Sequence, residues 1–480
     1  MSDNETFDVV VLGSGAAGAA AAISAHDAGA SVLILEKCAP DQAGGNTRVS
    51  GSSIFHSLDA ERGATYLRSL ADRFPLPEDV VHTWATETVA NADWLTSIGA
   101  NLQKVVGYGD QPEYPELDGS DAYGGYLAID GVLGHQVLWE FLMGALAERG
   151  IEIRHETPAR RLLTDQRGAV TGVIAEHAGT EVSITARRGV VLATGGFQAN
   201  PELVQQYLPL SEPKLWGTPH ATGDGLKMAM AVGADLWHMD NMMSISGVPD
   251  PDTPQAWYQA FVFRPGFIWV APDGRRFINE RAKAGHGVAL LNDVYEVFPT
   301  RRMHVVFDEA TRAAGPISLG KEMMAVGWNV MINDRHWSAD NLAEVERGIL
   351  VKGDTIAELA EQLDVDPAVL EDTVNRWNEA CAAGADPYFG RDAQSLVPLD
   401  RGPYYAYTAE PMLAWTNGGP RRNGNAQVLN VWGEPIGGLY AAGEVSSTYS
   451  LGKDGGFHMA DALAFGRVAG REAAATAAAE

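Results

Sequence analysis

Cysteine is almost missing from this chain: Cys38 and Cys381 are the only two in 480 residues. Two thiols so far apart in sequence cannot build a disulfide framework or a metal-ligand set. No Cys-x-x-Cys-His run for haem attachment and no iron–sulfur cysteine set occurs. Positive charge is also scarce, with 35 Lys and Arg against 62 Asp and Glu and a net charge of −27. That balance argues against nucleic acid or an anionic membrane surface as a partner. An anionic substrate would need a local positive pocket against the global field. No stretch approaches the roughly 18 apolar residues of a membrane span. The opening residues Met1–Asp8 are polar and acidic, so no export signal is expected and the chain is placed in the cytoplasm.

What is present points to an α/β protein. Hydrophobic residues make up 46% of the chain, and 53 glycines suit many tight turns between strands and helices. A short apolar strand runs into Gly13-Ser14-Gly15-Ala16-Ala17-Gly18, and a second apolar run, Ser31–Leu35, ends on Glu36-Lys37. This is the layout of a dinucleotide-binding βαβ unit. Gly13 permits the tight turn, Gly15 lets backbone approach a pyrophosphate, and Gly18 lets the helix pack close to the strand. Glu36 is positioned to accept hydrogen bonds from ribose hydroxyls. The helix start presents unpaired N–H groups and a positive dipole end to the phosphates.

Further along, helical periodicity spans about 61–100, and residues 103–131, rich in Gly, Tyr and Pro, read as irregular surface structure. A helix Val137–Arg149, a strand Ile151–His155 and a meander of strands at 161–164, 170–176 and 182–186 follow. Val190–Gly196 is a buried strand ending in glycines. Residues 234–345 change character, with many Trp, Met and Pro, and read as an inserted domain. The predicted organisation is a Rossmann-like nucleotide domain in two parts, 1–233 and 346–480, with an α+β capping domain at 234–345. A ligand belongs where the two meet.

Five pieces then agree in order and spacing. They are Gly13–Gly18 with Glu36-Lys37; Gly44-Gly45-Asn46-Thr47 with Ser50-Gly51; Ala193-Thr194-Gly195-Gly196-Phe197; Gly274–Glu280; and Gly438–Glu444 leading to Asp461 and Phe465-Gly466-Arg467. The set resembles the flavoprotein family of fumarate reductases and succinate dehydrogenases, which also holds ketosteroid dehydrogenases. The resemblance covers almost the whole chain and implies FAD as cofactor. It implies that Ala17, Gly18 and Glu36 hold the ADP half, with Gly45, Asn46, Thr47 and Ser50 along the pyrophosphate and isoalloxazine. It further implies Ala159 beside adenine, Thr194, Gly195 and Asp224 over the adenosine and ribityl chain, Gly443-Glu444 on the ribityl hydroxyls, and the helix start at Met459-Ala460 facing the flavin. Lys37, Gly44, Gly51 and Ala16 belong to the same motifs. No histidine stands between Lys37 and Gly44, where membrane-bound relatives link the flavin, so the FAD is expected to be non-covalent.

On the substrate side the chain departs from the reductases. The arginine expected four residues after Glu280 is Ala284, with Arg281, Lys283 and His286 nearby. A His-Thr-Met-Gly-Gly-like stretch reads Trp415-Thr416-Asn417-Gly418-Gly419, and only Arg467 keeps its place. These changes favour an apolar, ring-shaped carbonyl compound over a dicarboxylate. Hydride would move between flavin N5 and a Cα–Cβ bond beside the carbonyl, with an external donor or acceptor of electrons. Tyr449, Lys453, His458 and Arg467 are the expected catalytic residues, with Tyr126 and Tyr258 weaker, and Trp415, Thr416 and Arg281 the expected substrate contacts. No metal is expected. Fumarate-type reduction of an unsaturated carboxylate and a non-catalytic flavin-binding role are the competing readings.

Overall fold

The computed structural model describes residues 5–210, 213–251, 253–259, 264–282, 284–291, 293–318, 327–328, 331 and 336–478, with the side chains of 253–259 and 284 outside that set. The strand Glu5–Leu12 carries Val9-Val10-Val11-Leu12, all essentially inaccessible, because it lies in the middle of a sheet covered on both faces. The sheet runs in the order Gln427–Leu429, Pro435–Ala441, Thr180–Leu192, Glu5–Leu12, Val32–Leu35, Glu152–Arg154. Glu5–Leu12 pairs in parallel with both Val32–Leu35 and Thr180–Leu192. The expected separate strands at 182–186 and 190–196 are one strand, Thr180–Leu192. Its start pairs antiparallel with Val170–His177 and its end runs parallel to the first strand.

The alanine-rich helix Ala16–Asp27 is buried on nearly all sides for ten consecutive residues. Its partner is the helix Phe457–Ala475, and the two come close through small residues. A Cβ at Gly466 would lie 2.6 Å from the Ala17 carbonyl oxygen, and one at Gly470 would lie 2.2 Å from that of Ala21. The far end of the chain is thereby fixed against the first βα turn.

A second sheet is centred on Tyr404–Thr416, flanked by Met242–Asp250 and Met303–Asp308, with Thr253–Gln259 and Phe267–Val270 at the edges. Helices Ile356–Gln362 and Pro367–Ala383 bury Leu359, Leu370, Val374 and Trp377 against its Ile268, Val306 and Ala406. The boundary expected at 345 therefore cuts through this unit, because the central strand comes from residues far beyond it. The 103–131 stretch also differs from expectation. Leu102–Lys104 and Tyr123–Ile129 form a three-stranded sheet with Ile54–Ser57. The glycines that suggested a surface loop are there for close packing: a Cβ at Gly124 would meet His56 at 2.6 Å and one at Gly125 would meet Lys104 at 2.4 Å. Among the described residues, no helix is long and apolar enough to cross a membrane.

Candidate active site

A cavity of about 1200 Å³ is lined from both sheets, and its lining falls into two sets, here termed arms: the dinucleotide motifs, and an apolar wall with titratable groups. The first arm starts at the turn after Glu5–Leu12. Gly13 has φ +104°, a conformation that favours glycine, and a Cβ there would sit 2.4 Å from the Ala193 carbonyl oxygen. Gly18 does not line the cavity; a Cβ on it would meet the Gly13 oxygen at 2.0 Å, so it lets the helix start close against the turn. Thr47 Oγ1 accepts from the Ala16 N–H at 3.0 Å, tying the Gly44–Thr47 turn to the helix start.

Glu36 holds this turn. Its Oε2 accepts from the Ser14 N–H at 3.1 Å and the Ser14 hydroxyl at 2.6 Å, and Oε1 accepts from the Cys38 N–H at 2.9 Å. Burial and the adjacent Glu36 carboxylate push the Cys38 thiol up to about 12, which makes it an inert filler. Lys37 Nζ donates to Asp224 at 2.6 Å and to Thr222 at 2.8 Å. Asn46 donates to Glu444 Oε2 at 2.8 Å and accepts from the Thr218 N–H at 2.8 Å. Burial pushes the Glu444 carboxyl up to about 7, although the Asn46 hydrogen bond opposes it.

Gly15, Ala16, Ala17, Gly44, Gly45, Ser50, Gly51, Ala159, Thr194, Gly195, Gly443 and Met459 join these residues on the cavity wall. Ala460 does not; it is fully buried and its carbonyl accepts from Asn91 at 2.9 Å. The helix instead opens on Gly456, at φ +72°, and Gly455, Gly456, His458 and Met459 face the cavity. Two features of this arm fit FAD. The glycine turn and two helix starts form a cradle that side chains would fill, and Thr194 Oγ1 and Glu444 Oε1 are buried without a hydrogen-bond partner.

The second arm has an apolar wall of Met243, Ile245, Phe267, Trp269, Phe298 and Trp415. Trp269 stacks on Phe298 at 6.0 Å between centroids, and the edge of Trp415 meets His458 at 4.8 Å. The indole nitrogen of Trp415 and Nε2 of His458 are buried without partners. Burial, with Lys453 and His286 nearby, holds His458 well below the usual imidazole range, so it is neutral. Glu113, Tyr126, His286 and Asp454 line the same arm. His286 Nδ1 lies 2.5 Å from Glu113 Oε1. Asp454 accepts from the hydroxyls of Tyr66 at 2.7 Å and Tyr126 at 3.2 Å, and from the Glu113 N–H at 2.9 Å. Burial and the Glu113 charge push the Asp454 carboxyl up to about 6.

Several expected residues lie elsewhere. Tyr449 is fully buried and does not reach the cavity; its hydroxyl donates to the Phe457 carbonyl at 2.6 Å and accepts from Trp84 at 3.1 Å. Arg467 points outward from its helix, donating to the Glu87 carbonyl at 2.6 Å and pairing with the Glu87 carboxylate at 2.7 Å. Lys453 stands behind the wall with Nζ on the Met242 carbonyl at 3.2 Å, and burial brings it down to about 7. Thr416 is buried and its hydroxyl accepts from the Phe197 N–H at 3.0 Å. Of Tyr449, Lys453, His458 and Arg467 only His458 lines the cavity, joined by the weaker candidate Tyr126, with Trp415 and Arg281 among the substrate contacts. Lys283 and the side chain of Tyr258 lie outside the described residues. Glu280 is in the cavity wall but spends its oxygens on Arg276, at 2.8 Å, and Arg391, at 3.2 Å. Sequence reasoning missed Glu113 and Asp454 as site residues. Glu113 sits in a loop without a motif, whereas Asp454, beside two glycines before a helix, carried a signal that could have found it.

The comparisons with known proteins agree with this geometry. The chain is 31% identical to a urocanate reductase of Eggerthella lenta, over 98% of this chain and 75% of that protein. It is 29% identical to a 4-oxocyclohexanecarboxylate 2-dehydrogenase of Sinomonas cyclohexanicum, over 98% and 94%. Among solved structures, a 3-ketosteroid Δ1-dehydrogenase of Sterolibacterium denitrificans shares the fold with a TM-score of 0.78 at 24% identity, covering 98% of this chain and all of that one. The FAD binding domain family matches residues 8–464. From the glycine turn to the last helix, the chain belongs to the FAD binding domain family and is an FAD-dependent oxidoreductase acting on carbon–carbon bonds.

Proposed function

We propose that this enzyme moves hydrogen at the Cα–Cβ bond of a largely apolar, ring-shaped ketone. The observation that carries this reading is the make-up of the second arm. Aromatic and methionine side chains form its wall, two carboxylates, Glu113 and Asp454, line it, and among the described residues Arg281 is its one arginine. A dicarboxylate would meet like charge there, whereas a flat apolar ring would displace water from Trp415, Met243 and Phe267. The 4-oxocyclohexanecarboxylate 2-dehydrogenase relative supports a cyclic ketone.

Within the first arm, Glu36, Asn46, Thr47, Thr194 and Glu444 would hold FAD, which when bound supplies two-electron hydride exchange. The chain's own part is to orient the ring against Trp415, exclude water, and hold or move one proton at the carbon next to the carbonyl. Electrons are exchanged with a separate carrier molecule. A second reading, reduction of an unsaturated carboxylate, rests on Arg281 at the cavity and on the urocanate reductase relative.

The test is anaerobic addition of saturated cyclic ketones, a 3-ketosteroid and succinate to the oxidised holoenzyme with a dye acceptor. Bleaching of the yellow absorbance and dye reduction with a cyclic ketone, without response to succinate, is expected. A response to succinate alone would replace this reading with the second.

A further inference from the structure

We propose that His286, paired with Glu113, is the acid and base that exchanges the substrate proton. The inference rests on the carbonyl-substrate reading above, and it names the residue that reading requires.

The geometry around this pair is built for it. His286 stands between Gly285 and Gly287 with φ +38°, in the left-handed region that few non-glycine residues adopt. Both neighbours are pinned by close approach. A Cβ at Gly285 would lie 2.4 Å from Glu113 Oε2 and 2.9 Å from the Tyr114 hydroxyl, and one at Gly287 would lie 2.9 Å from the Met242 carbonyl oxygen. Tyr114 also donates to the Gly285 carbonyl at 2.7 Å. On the other side, a Cβ at Gly455 would lie 2.1 Å from the Tyr126 hydroxyl and 3.2 Å from Glu113 Oε1. Glu113 is thus seated between two glycines from distant parts of the chain, and Asp454 fixes its main chain through the Glu113 N–H at 2.9 Å. Glu113 Oε2 is buried with no hydrogen-bond partner.

The electrostatics point the same way. Burial alone would lower His286, but the Glu113 carboxylate outweighs it and holds the imidazole above its usual range. Asp454 adds to that effect and Lys453 opposes it. Across the cavity the ring faces Trp415 at 6.2 Å, with neutral His458 beyond that indole. Glu113 Oε1 lies 2.5 Å from Nδ1 as an ion pair and not in line for a hydrogen bond, so Nε2 is the nitrogen left to meet a ligand. The other titratable groups serve less well. Lys453 is turned to a carbonyl behind the wall, and the Tyr126 hydroxyl is already given to Asp454.

In the reducing direction, the N–H bond at His286 Nε2 breaks as a C–H bond forms at the carbon next to the carbonyl. The neighbouring carbon would receive a hydride from the two-electron-reduced flavin, which returns to FAD, so the C=C bond gains one proton and one hydride. The neutral imidazole regains its proton from solvent beside the unchanged Glu113 carboxylate. In the oxidising direction each transfer reverses.

The test uses the full-length holoenzyme and two variants, His286→Asn, chosen because Asn tolerates a left-handed backbone, and Glu113→Gln. Dithionite-reduced enzyme is mixed anaerobically with cyclohex-2-enone, and FAD content and the rate of dithionite reduction serve as controls. His286→Asn is expected to slow reoxidation by the enone about 100-fold or more while both controls hold. In the wild type the rate falls as pH rises through the His286 titration, and in Glu113→Gln that fall moves to lower pH. A rate within about twofold of wild type and an unchanged pH profile in His286→Asn, far short of a general acid–base effect, would overturn the inference. An independent readout is the histidine Cε1–H titration of isotope-labelled protein by NMR. A His286 resonance that titrates above the usual imidazole range and drops in Glu113→Gln supports the pair; an unshifted one refutes it. If the wild type ignores every ketone and enone, the carbonyl reading fails, and the NMR titration still decides whether Glu113 charges His286.

Discussion

The two arms of the cavity are built by different means. The cofactor arm is made largely of backbone: turns at Gly13–Gly15 and Gly44-Gly45, and helix starts at Ala16 and Gly456. Its side chains, Glu36 and Asn46, hold the loops as much as they face the ligand. The substrate arm is made of side chains brought together from distant segments: Glu113, His286, Trp415 and Asp454. A backbone site tolerates almost no change in shape but says little about chemistry. A side-chain site can be rewritten residue by residue while the fold stays the same, which is how relatives on one fold act on different carbon–carbon bonds.

The sharpest way to break this comparison is at Gly13. In Gly13→Val the new Cβ would collide with the Ala193 carbonyl at 2.4 Å in a left-handed backbone. We expect loss of FAD from the purified protein and a destabilisation of about 3 kcal/mol or more, read by flavin-to-protein absorbance and denaturant melts. Retention of FAD would show that the turn is not the cofactor cradle.

Glu444 tests the same arm more gently. Its folded value lies near 7 against an ordinary 4.5, so the folded state keeps a proton that the unfolded chain releases. Stability of the FAD-free protein should therefore fall as pH rises from 4.5 to 7 and level off above, by at most about 3 kcal/mol. Glu444→Gln should flatten that slope in thermal melts.

The substrate arm is sharpened by Trp415→Ala, which removes the ring between His286 and His458. We expect a rise in KM for cyclic ketones of about 30-fold, equivalent to about 2 kcal/mol, with FAD content unchanged. The smallest effect is expected at Tyr449→Phe. Losing the hydroxyl leaves the Phe457 carbonyl and Trp84 indole without their partner and costs about 1–2 kcal/mol of stability. Turnover should hold, since the hydroxyl does not reach the cavity.

The same contrast explains what could be read from the sequence. Gly13, Gly44, Asn46 and Glu444 were legible because each sits in a short motif of its own: a glycine turn at Gly13, another at Gly44 with Asn46 two residues on, and Glu444 directly after Gly443. The second sheet's boundary was not legible, because its central strand Tyr404–Thr416 joins Met242–Asp250 and Met303–Asp308 from far earlier in the chain. Tyr449 and Arg467 misled for a related reason. Each sits in or beside a flavin motif, yet Tyr449 turns from its loop into the core and Arg467 leaves its helix toward Glu87. Glu113 had no signal of its own. Its place is defined by Gly285 and Gly455, and only the folded chain sets those beside it.

The most direct test of the account is one anaerobic mixing experiment. FAD-reduced enzyme is combined in separate runs with cyclohex-2-enone and with fumarate at equal concentration, and the return of yellow absorbance is followed. The account predicts rapid reoxidation by the enone and none by fumarate. Reoxidation by fumarate, with the enone inert, would contradict it.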